Sequence, residues 1–451
     1  MARLFGTDGV RGVANSELTP ELAFALGKAG ATVLGEEHER PVFVIGKDTR
    51  VSGDMLEDAM AAGILSVGGD VLKAGVIPTP AVAYLVRHYQ ADAGVVISAS
   101  HNPFEYNGIK FFNGNGFKLD DSIEDKIEAK IEEGWEDQAG PSGSGLGRSK
   151  EIEEDAEQAY CDYLRSTVDL DLTGMKIVLD CANGASFRTS PDVYQSLGAD
   201  VITIGADPDG VNINDGVGST HPEKLMEKVK ETGADLGLAF DGDADRLIAV
   251  DDLGRVVDGD KTICILANML KQQGALEQNI VTATVMSNLG FHKYLGKIGA
   301  DVEVTKVGDR YVLESMLKTG SVIGGEQSGH IIFLKDSTTG DGCLSSLKLM
   351  TAVKQSGKKL SELSDEIRLY PQVLVNAKIP NENKTKAMED PEIRELIEKT
   401  EKDFEDNGRV LIRPSGTEPL VRVMLEGDDT EELRRVAEGI ADLMEKKFGD
   451  Q

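Results

Sequence analysis

Short apolar runs, most of them rich in β-branched residues, recur along this chain, at 42–45, 95–97, 176–179, 201–204, 236–240, 280–284 and 302–304. Stretches with apolar residues at helical spacing lie between them, at 53–67, 81–89, 151–167, 262–273 and 341–356. Uniformly apolar strands alternating with helices admit few solutions, because parallel strands need a helical crossover and must be covered on both faces. The pattern predicts tandem α/β units with mixed, mostly parallel sheets. A chain of 451 residues exceeds one compact core. The expected division is an α/β domain at 1–150, a second at 151–252 and a third at 253–368. The 138–150 stretch (Q-A-G-P-S-G-S-G-L-G-R-S-K) reads as a linker. S-T-H-P-E at 219–223 predicts a hydroxyl-capped helix start. After Pro371 the alternation leaves no room for parallel crossovers, which predicts a smaller α+β domain at 369–451 poised to cover the others.

Acidic residues outnumber basic ones by 78 to 48, for a net charge of −30. Such a surface repels nucleic acid and anionic membranes. No apolar run is long enough for a membrane span, and the N-terminus carries no apolar signal segment, so a cytoplasmic location is expected. Cys161, Cys181, Cys264 and Cys343 are scattered without a CxxC pair, which points to neither disulfides nor zinc.

Chemistry concentrates where strands end. The run 95–97 passes into S-A-S-H-N-P, with Ser100 on a loop at a strand's C-terminal end, where open α/β sheets bind ligands. No G-x-S-x-G elbow occurs, and His101, as the adjacent residue, is expected to point away from the serine. The run 236–240 passes into D-G-D-A-D-R, placing Asp241, Asp243 and Asp245 within five residues. At about 4 Å each like-charge pair repels by roughly 1 kcal/mol in water and about 4 kcal/mol at an intermediate dielectric. Arg246 neutralises one carboxylate; a divalent cation neutralises two, and hard oxygen ligands on a short loop suit magnesium. An EF-hand is excluded, since Arg246 and Asp252 occupy the positions of its glycine and glutamate. An aspartyl phosphatase loop, D-x-D-x-[T/V], fits at Asp241 and Asp243 but meets Asp245 where Thr or Val belongs. A phosphate on Ser100 would supply the fourth ligand to a cation held by the aspartates.

Three further loops carry polar groups. G-E-Q-S-G-H (325–330) offers Glu326 and Ser328 to sugar hydroxyls and His330 for proton movement. R-P-S-G-T-E-P (413–419), with Arg422 on the next strand, forms an anion cradle. G-T-D-G-V-R-G (6–12) combines turn glycines with Arg11, and I-K-F-F (109–112) brings Lys110 beside the serine loop. No G-x-x-x-x-G-K-[ST] occurs, which disfavours a P-loop nucleotide site.

These five loops, in this order and across essentially the whole chain, resemble those of the α-D-phosphohexomutases. N-I-N-D-G-V-G-S-T-H-P (212–222), V-M-S-N-L-G-F (285–291) and Gln327 resemble its bacterial amino-sugar branch. The resemblance implies four domains around a central cleft. It implies a phosphoserine at Ser100 whose phosphate, with Asp241, Asp243 and Asp245, binds one Mg²⁺. Arg11, His101 and Lys110 would lie near the transferring phosphoryl, with His330 as an acid/base group. Arg246, Glu326 and Ser328 would hold the sugar, and Arg413, Ser415, Gly416, Thr417 and Arg422 its other phosphate. The implied reaction interconverts glucosamine 6-phosphate and glucosamine 1-phosphate through a 1,6-bisphosphate, which also acts as activator, and feeds UDP-N-acetylglucosamine and cell-wall synthesis. The implied partners are a phosphosugar and, in a homodimer, a second copy. Ala244 and Tyr106 depart from the family's commoner glycine and aspartate without removing a ligand. The alternatives are a phosphomannomutase/phosphoglucomutase of the same family, an aspartyl phosphomonoesterase with Asp241 as nucleophile, and a non-catalytic sugar-phosphate regulator.

Overall fold

A computed structural model describes residues 3–6, 8–134, 140–404, 408–415 and 418–449. The first sheet is built from β1 (Val10–Val13), α1 (Pro20–Leu34), β2 (Val42–Lys47), α2 (Gly53–Ser66), β3 (Asp70–Val76), α3 (Thr79–His88), β4 (Ala93–Ile97), β5 (Tyr106–Asn113), α4 (Asp121–Glu133) and β6 (Ser149–Glu151). The second follows with α5 (Glu153–Ser166), β7 (Lys176–Asp180), α6 (Thr189–Ser196), β8 (Asp200–Ile204), α7 (Glu223–Thr232), β9 (Leu236–Phe240), β10 (Leu247–Val250) and β11 (Val256–Val257). The third comprises α8 (Gly259–Gln272), β12 (Ile280–Thr284), α9 (Leu289–Lys297), β13 (Asp301–Thr305), α10 (Asp309–Thr319), β14 (Ile323–Gly325), β15 (Ile331–Phe333), α11 (Gly342–Ser356) and α12 (Leu360–Asp365). The tail adds β16 (Gln372–Lys378), α13 (Lys384–Glu389), α14 (Pro391–Phe404), β17 (Gly408–Pro414), β18 (Leu420–Gly427) and α15 (Thr430–Phe448).

The three α/β sheets share one plan. Their strand orders contain β5-β4-β2-β3, β10-β9-β7-β8 and β15-β14-β12-β13. In each, the last three strands are parallel and the first is antiparallel to its neighbour. The serine loop, the aspartate loop and the G-E-Q-S-G-H loop are therefore the same connection, from the C-terminal end of a parallel strand into an antiparallel one. The fourth sheet, β16-β18-β17, is antiparallel throughout. Three mostly parallel α/β sheets and a smaller α+β tail are the architecture expected from the strand–helix alternation. The chain divides into two compact units, residues 1–286 with 299–366, and residues 287–298 with 367–451. No helix among the described residues is long and apolar enough to cross a membrane.

Local chemistry explains where elements begin and where sequence reading failed. Asp258 caps α8 by accepting from the Lys261 N–H, and Asp429 caps α15 through Glu431 and Glu432. The hydroxyl cap expected for α7 is not made: Pro222 occupies the cap position and the helix starts at Glu223. The linker stretch ends in β6, which pairs with the edge of β3; residues 135–139 lie outside the described ones. β1, β6, β11, β15, α12 and α13 were not expected, because six residues or fewer carry too little periodicity to register, and the fifteen-residue α1 was missed as well.

One face of the first sheet buries Phe43, Val71 and Val95 against Leu26, Leu56, Met60 and Ile127 from α1, α2 and α4. The two long helices meet through glycines. A Cβ on Gly63 would lie 2.2 Å from the Phe24 carbonyl oxygen, and one on Gly27 would lie 2.3 Å from that of Met60. Gly63→Ala gains about 1 kcal/mol of helix propensity. It must also push two backbones apart, at an overpacking cost of about 1–3 kcal/mol. The expected result is a net fall of several degrees in the thermal unfolding midpoint, read by circular dichroism; an unchanged or raised midpoint contradicts it.

Candidate active site

The three strand-end loops of the first unit converge on a cavity of about 430 Å³, within the usual range for small-molecule sites. Arg11, Ser100, His101, Asp245, Arg246, Glu326 and His330 line it, and so do Asp8, Lys118 and Asp309. Lys110 lies just behind, with a buried ammonium 2.9 Å from Asp243 and 3.0 Å from Asp8. Ser328 is exposed and is not among the lining residues.

Ser100 is held in an uncommon backbone conformation, φ +53°, which costs a non-glycine residue about 1–3 kcal/mol and persists only where surroundings enforce it. Here they do. The Ser98 hydroxyl accepts from the Ser100 N–H at 2.9 Å and donates to Asp48 at 2.5 Å. Arg50, buried in an ion pair with Asp48, donates to the carbonyls of Ser100 and Asn102 at 3.2 and 2.6 Å. Asn214 donates to the same two carbonyls at 2.9 and 3.1 Å. The result aims the Ser100 Oγ, 2.6 Å from Asp241 Oδ2, at the aspartate loop. His101 does not point away: its Nδ1 lies 3.4 Å from that same Oγ, because the left-handed turn at Ser100 brings the two adjacent side chains to one side.

Ligand atoms of Asp241, Asp243 and Asp245 lie within 4.8 Å of one another. Burial, then the charges of Asp245 and Asp243, push Asp241 up to about 8. Asp243 Oδ1 and Asp245 Oδ1 are buried with no hydrogen-bond partner among the described residues. Crowded carboxylates with unused oxygens fit a hard divalent cation. Arg246 compensates only partly, with its Nε 4.0 Å from Asp241 and 3.8 Å from Asp245.

Backbone bonds register the loops against each other. The Leu247 N–H donates to the Gly329 carbonyl, the Gly342 N–H to that of Ala244, and the Thr79 N–H to that of Asp243. A Cβ on Gly242 would lie 2.5 Å from the Ser100 carbonyl oxygen and 2.9 Å from Asn214 Nδ2. Gly242→Ala must therefore displace the serine loop from the aspartates. A shift near 1 Å costs about 100-fold in rate; the expected result is a fall of that size in kcat with an unchanged circular dichroism spectrum. A kcat equal to wild type contradicts this placement.

The two imidazoles differ. Burial, then the cations of Arg246 and Arg11, push His101 down to about 4, so it is neutral near pH 7. Burial works to lower His330, but Asp245 and then Asp309 bring it up to about 9. The Gly340 N–H points at His330 Nε2 from 3.1 Å and needs a lone pair there, so a second proton on His330 must break that bond.

In the second unit, Arg413 and Arg422 face each other across β17 and β18. Burial, then the neighbouring Arg422 charge, lower Arg413, while Arg422 itself pairs with Glu418 at 2.7 Å. Lys384, not expected from sequence, donates to the Ser415 and Glu418 carbonyls at 2.6 and 2.5 Å. The Ser415 hydroxyl accepts from the Glu418 N–H at 3.2 Å. Gly416 and Thr417 lie outside the described residues.

Arg50, Asn214, Asp8, Lys118 and Asp309 were missed as site residues. D-T-R, like the other site loops, follows directly on a strand, and that signal applied to 48–50 would have found Arg50.

Residues 2–138, 158–254 and 258–370 match the phosphoglucomutase/phosphomannomutase α/β/α domains I, II and III, and residues 374–443 match the C-terminal domain of that family. A phosphoglucosamine mutase of Thermoanaerobacter sp. (strain X514) is 59% identical over 448 residues, covering 99% of this chain and 100% of the relative. Among solved structures, a phosphoglucomutase/phosphomannomutase family protein from Burkholderia thailandensis superposes with TM-score 0.80 at 23% identity, covering 99% of this chain and 97% of that one. Aspergillus fumigatus N-acetylphosphoglucosamine mutase, in complex with GlcNAc-6P and magnesium, does so with TM-score 0.70 at 17% identity, covering 97% and 95%.

Proposed function

The chain belongs to the phosphoglucosamine mutases of the phosphoglucomutase/phosphomannomutase family, and we propose that it interconverts glucosamine 6-phosphate and glucosamine 1-phosphate by carrying the phosphoryl group on Ser100. The observation that carries this reading is the Ser100 Oγ, fixed by an enforced backbone turn 2.6 Å from Asp241 and facing the carboxylate cluster. A phosphomonoesterase using Asp241 as nucleophile has no use for a serine held in that position.

Asp241, Asp243 and Asp245 would hold magnesium. When bound, that ion neutralises charge on the phosphoryl in flight. Phospho-Ser100 passes its phosphoryl to O1 of glucosamine 6-phosphate; the Oγ–P bond breaks as the O1–P bond forms. The bisphosphate turns over in the site and returns its other phosphoryl to Ser100, leaving glucosamine 1-phosphate. As the Oγ–P bond breaks, the proton leaving the sugar O1 hydroxyl passes to the Ser100 Oγ, and in the second half-reaction it passes from that Oγ to the sugar O6; His101, neutral near pH 7 with Nδ1 3.4 Å from the Oγ, relays it at that atom. Arg11 and Lys110 bear on the phosphoryl oxygens, while Arg246 and Glu326 orient the sugar. Arg413, Ser415, Gly416, Thr417 and Arg422 hold the phosphate that does not react. The finer parts of the reading are a sugar 1,6-bisphosphate as activator, cytoplasmic residence, a homodimer, domain limits near 150, 252 and 368, and supply of UDP-N-acetylglucosamine for cell-wall synthesis.

The test is turnover with Mg²⁺ and a trace of sugar bisphosphate, comparing glucosamine, glucose and mannose phosphates. Preference for the glucosamine phosphates is expected. Equal or better use of glucose or mannose phosphates assigns the chain to the other branch of the family.

A further inference from the structure

Lys118 and Asp309 both line the cavity, and neither has a role in the reaction just described. Lys118 enters the cavity from the turn between β5 and α4, 2.6 Å from Asp8 and 2.5 Å from Asp309. Asp309 opens α10, where the helix N-terminus favours a carboxylate. Its other neighbour is His330, whose Nε2 is 3.7 Å away.

Followed outward, these contacts close on themselves. Asp8 pairs with Lys110, and Lys110 with Asp243. His330 Nδ1 lies 3.4 Å from Asp245. The result is a ring in which acidic and basic side chains alternate, leaving the aspartate loop at Asp243 and returning to it at Asp245. The Lys118–Asp309 pair is the link that joins the first α/β unit to the third. Two neighbours brace that link: Arg310 pairs with Asp121 at 2.5 Å, and the Thr338 hydroxyl donates to the Gly116 carbonyl. Next to Asp309, the Gly308 N–H donates to Glu326 at 3.1 Å, so the same turn fixes the proposed sugar ligand.

We propose that Lys118 and Asp309 are positioning residues for phosphoryl transfer, closing this ring so that Lys110, Arg11 and His330 are held against the phosphoryl site. The proposal rests on the mutase reading of Ser100. The reasoning is electrostatic. Lys118, with 15% of its side chain exposed, stands between the carboxylates of Asp8 and Asp309, themselves 22% and 20% exposed. Without that cation the two carboxylates repel across the cavity. Asp8 is the common partner of Lys110 and Arg11, so a displaced Asp8 releases both cations. Burial works to raise both aspartates, yet Lys110 and Lys118 hold Asp8, and Lys118 and His330 hold Asp309, below the usual carboxylate range.

The experiment uses the full-length protein with Mg²⁺ and bisphosphate, measuring kcat and KM in both directions alongside thermal unfolding. Lys118→Met is expected to lower kcat by about 10- to 100-fold, the usual effect of losing an outer-shell partner, with KM and the unfolding midpoint little changed. Lys118→Arg, which keeps the charge, is expected to retain most of the rate. Asp309→Asn is expected to lower kcat in the same sense, and the double variant to be no slower than Lys118→Met alone. Wild-type kcat in Lys118→Met overturns the proposal; so does a rise in KM alone, which would make Lys118 a sugar ligand. Should Lys118→Met not fold, the comparison of Asp309→Asn with Lys118→Arg decides between the same outcomes. Failure of the wild-type protein to turn over glucosamine phosphates instead overturns the mutase reading on which the proposal rests.

Discussion

Ser100→Ala is expected to lower mutase turnover by about four orders of magnitude or more, the scale of losing a covalent nucleophile. The folded state is expected to survive, because the hydroxyl makes one close bond, to Asp241, and alanine can occupy the same left-handed turn at a cost similar to serine's. Arg50, Asn214 and Ser98 fix that turn through backbone atoms, which the substitution leaves in place. The measurement pairs steady-state rates with a thermal unfolding curve. A variant that retains wild-type turnover removes the serine from the mechanism; one that loses turnover only in step with its folded fraction removes the argument from the site.

The second large effect concerns the aspartates. Chelation is expected to abolish turnover and Mg²⁺ to restore it. In Asp243→Ala, the cation affinity is expected to fall by about 10- to 100-fold or more. Binding has a thermodynamic consequence as well. Three buried carboxylates cannot all stay ionised without a counter-charge, which is why Asp241 is pushed up to about 8. A cation that binds only the folded chain stabilises it by about 2.7 kcal/mol at 100 times its Kd. Added Mg²⁺ should therefore raise the unfolding midpoint of the wild-type protein and leave that of Asp243→Ala nearly where it was. A midpoint indifferent to Mg²⁺, together with full turnover in chelator, would remove the metal from the account.

How much of this could be read from sequence depended on how local the information was. The apolar runs ending at Ile97 and Phe240 and the polar residues directly after them identified the serine and aspartate loops, because strand, loop and chemistry lie within ten residues. The equivalence of those loops was not legible. It resides in the strand orders β5-β4-β2-β3, β10-β9-β7-β8 and β15-β14-β12-β13, and β15 is only three residues long. Arg50 and Asn214 act on Ser100 from 50 and 114 residues away. Lys118 meets Asp309 across 191 residues. Arg50, Asn214 and Lys118 sit in loops with no periodicity of their own and Asp309 at the first residue of α10, so only the fold assembles them. The orientation of His101 failed for a related reason. Adjacent side chains diverge in ordinary extended or helical backbone, but not at the left-handed turn imposed on Ser100 by those distant donors.

The most direct measurement of the central claim is where a phosphoryl group resides on the protein after incubation with a radiolabelled hexose 1,6-bisphosphate. Acid-stable phosphate mapped to the peptide containing Ser100, and absent from Ser100→Ala, is the predicted result. Acid-labile phosphate on Asp241, or no covalent phosphate at all, would contradict it.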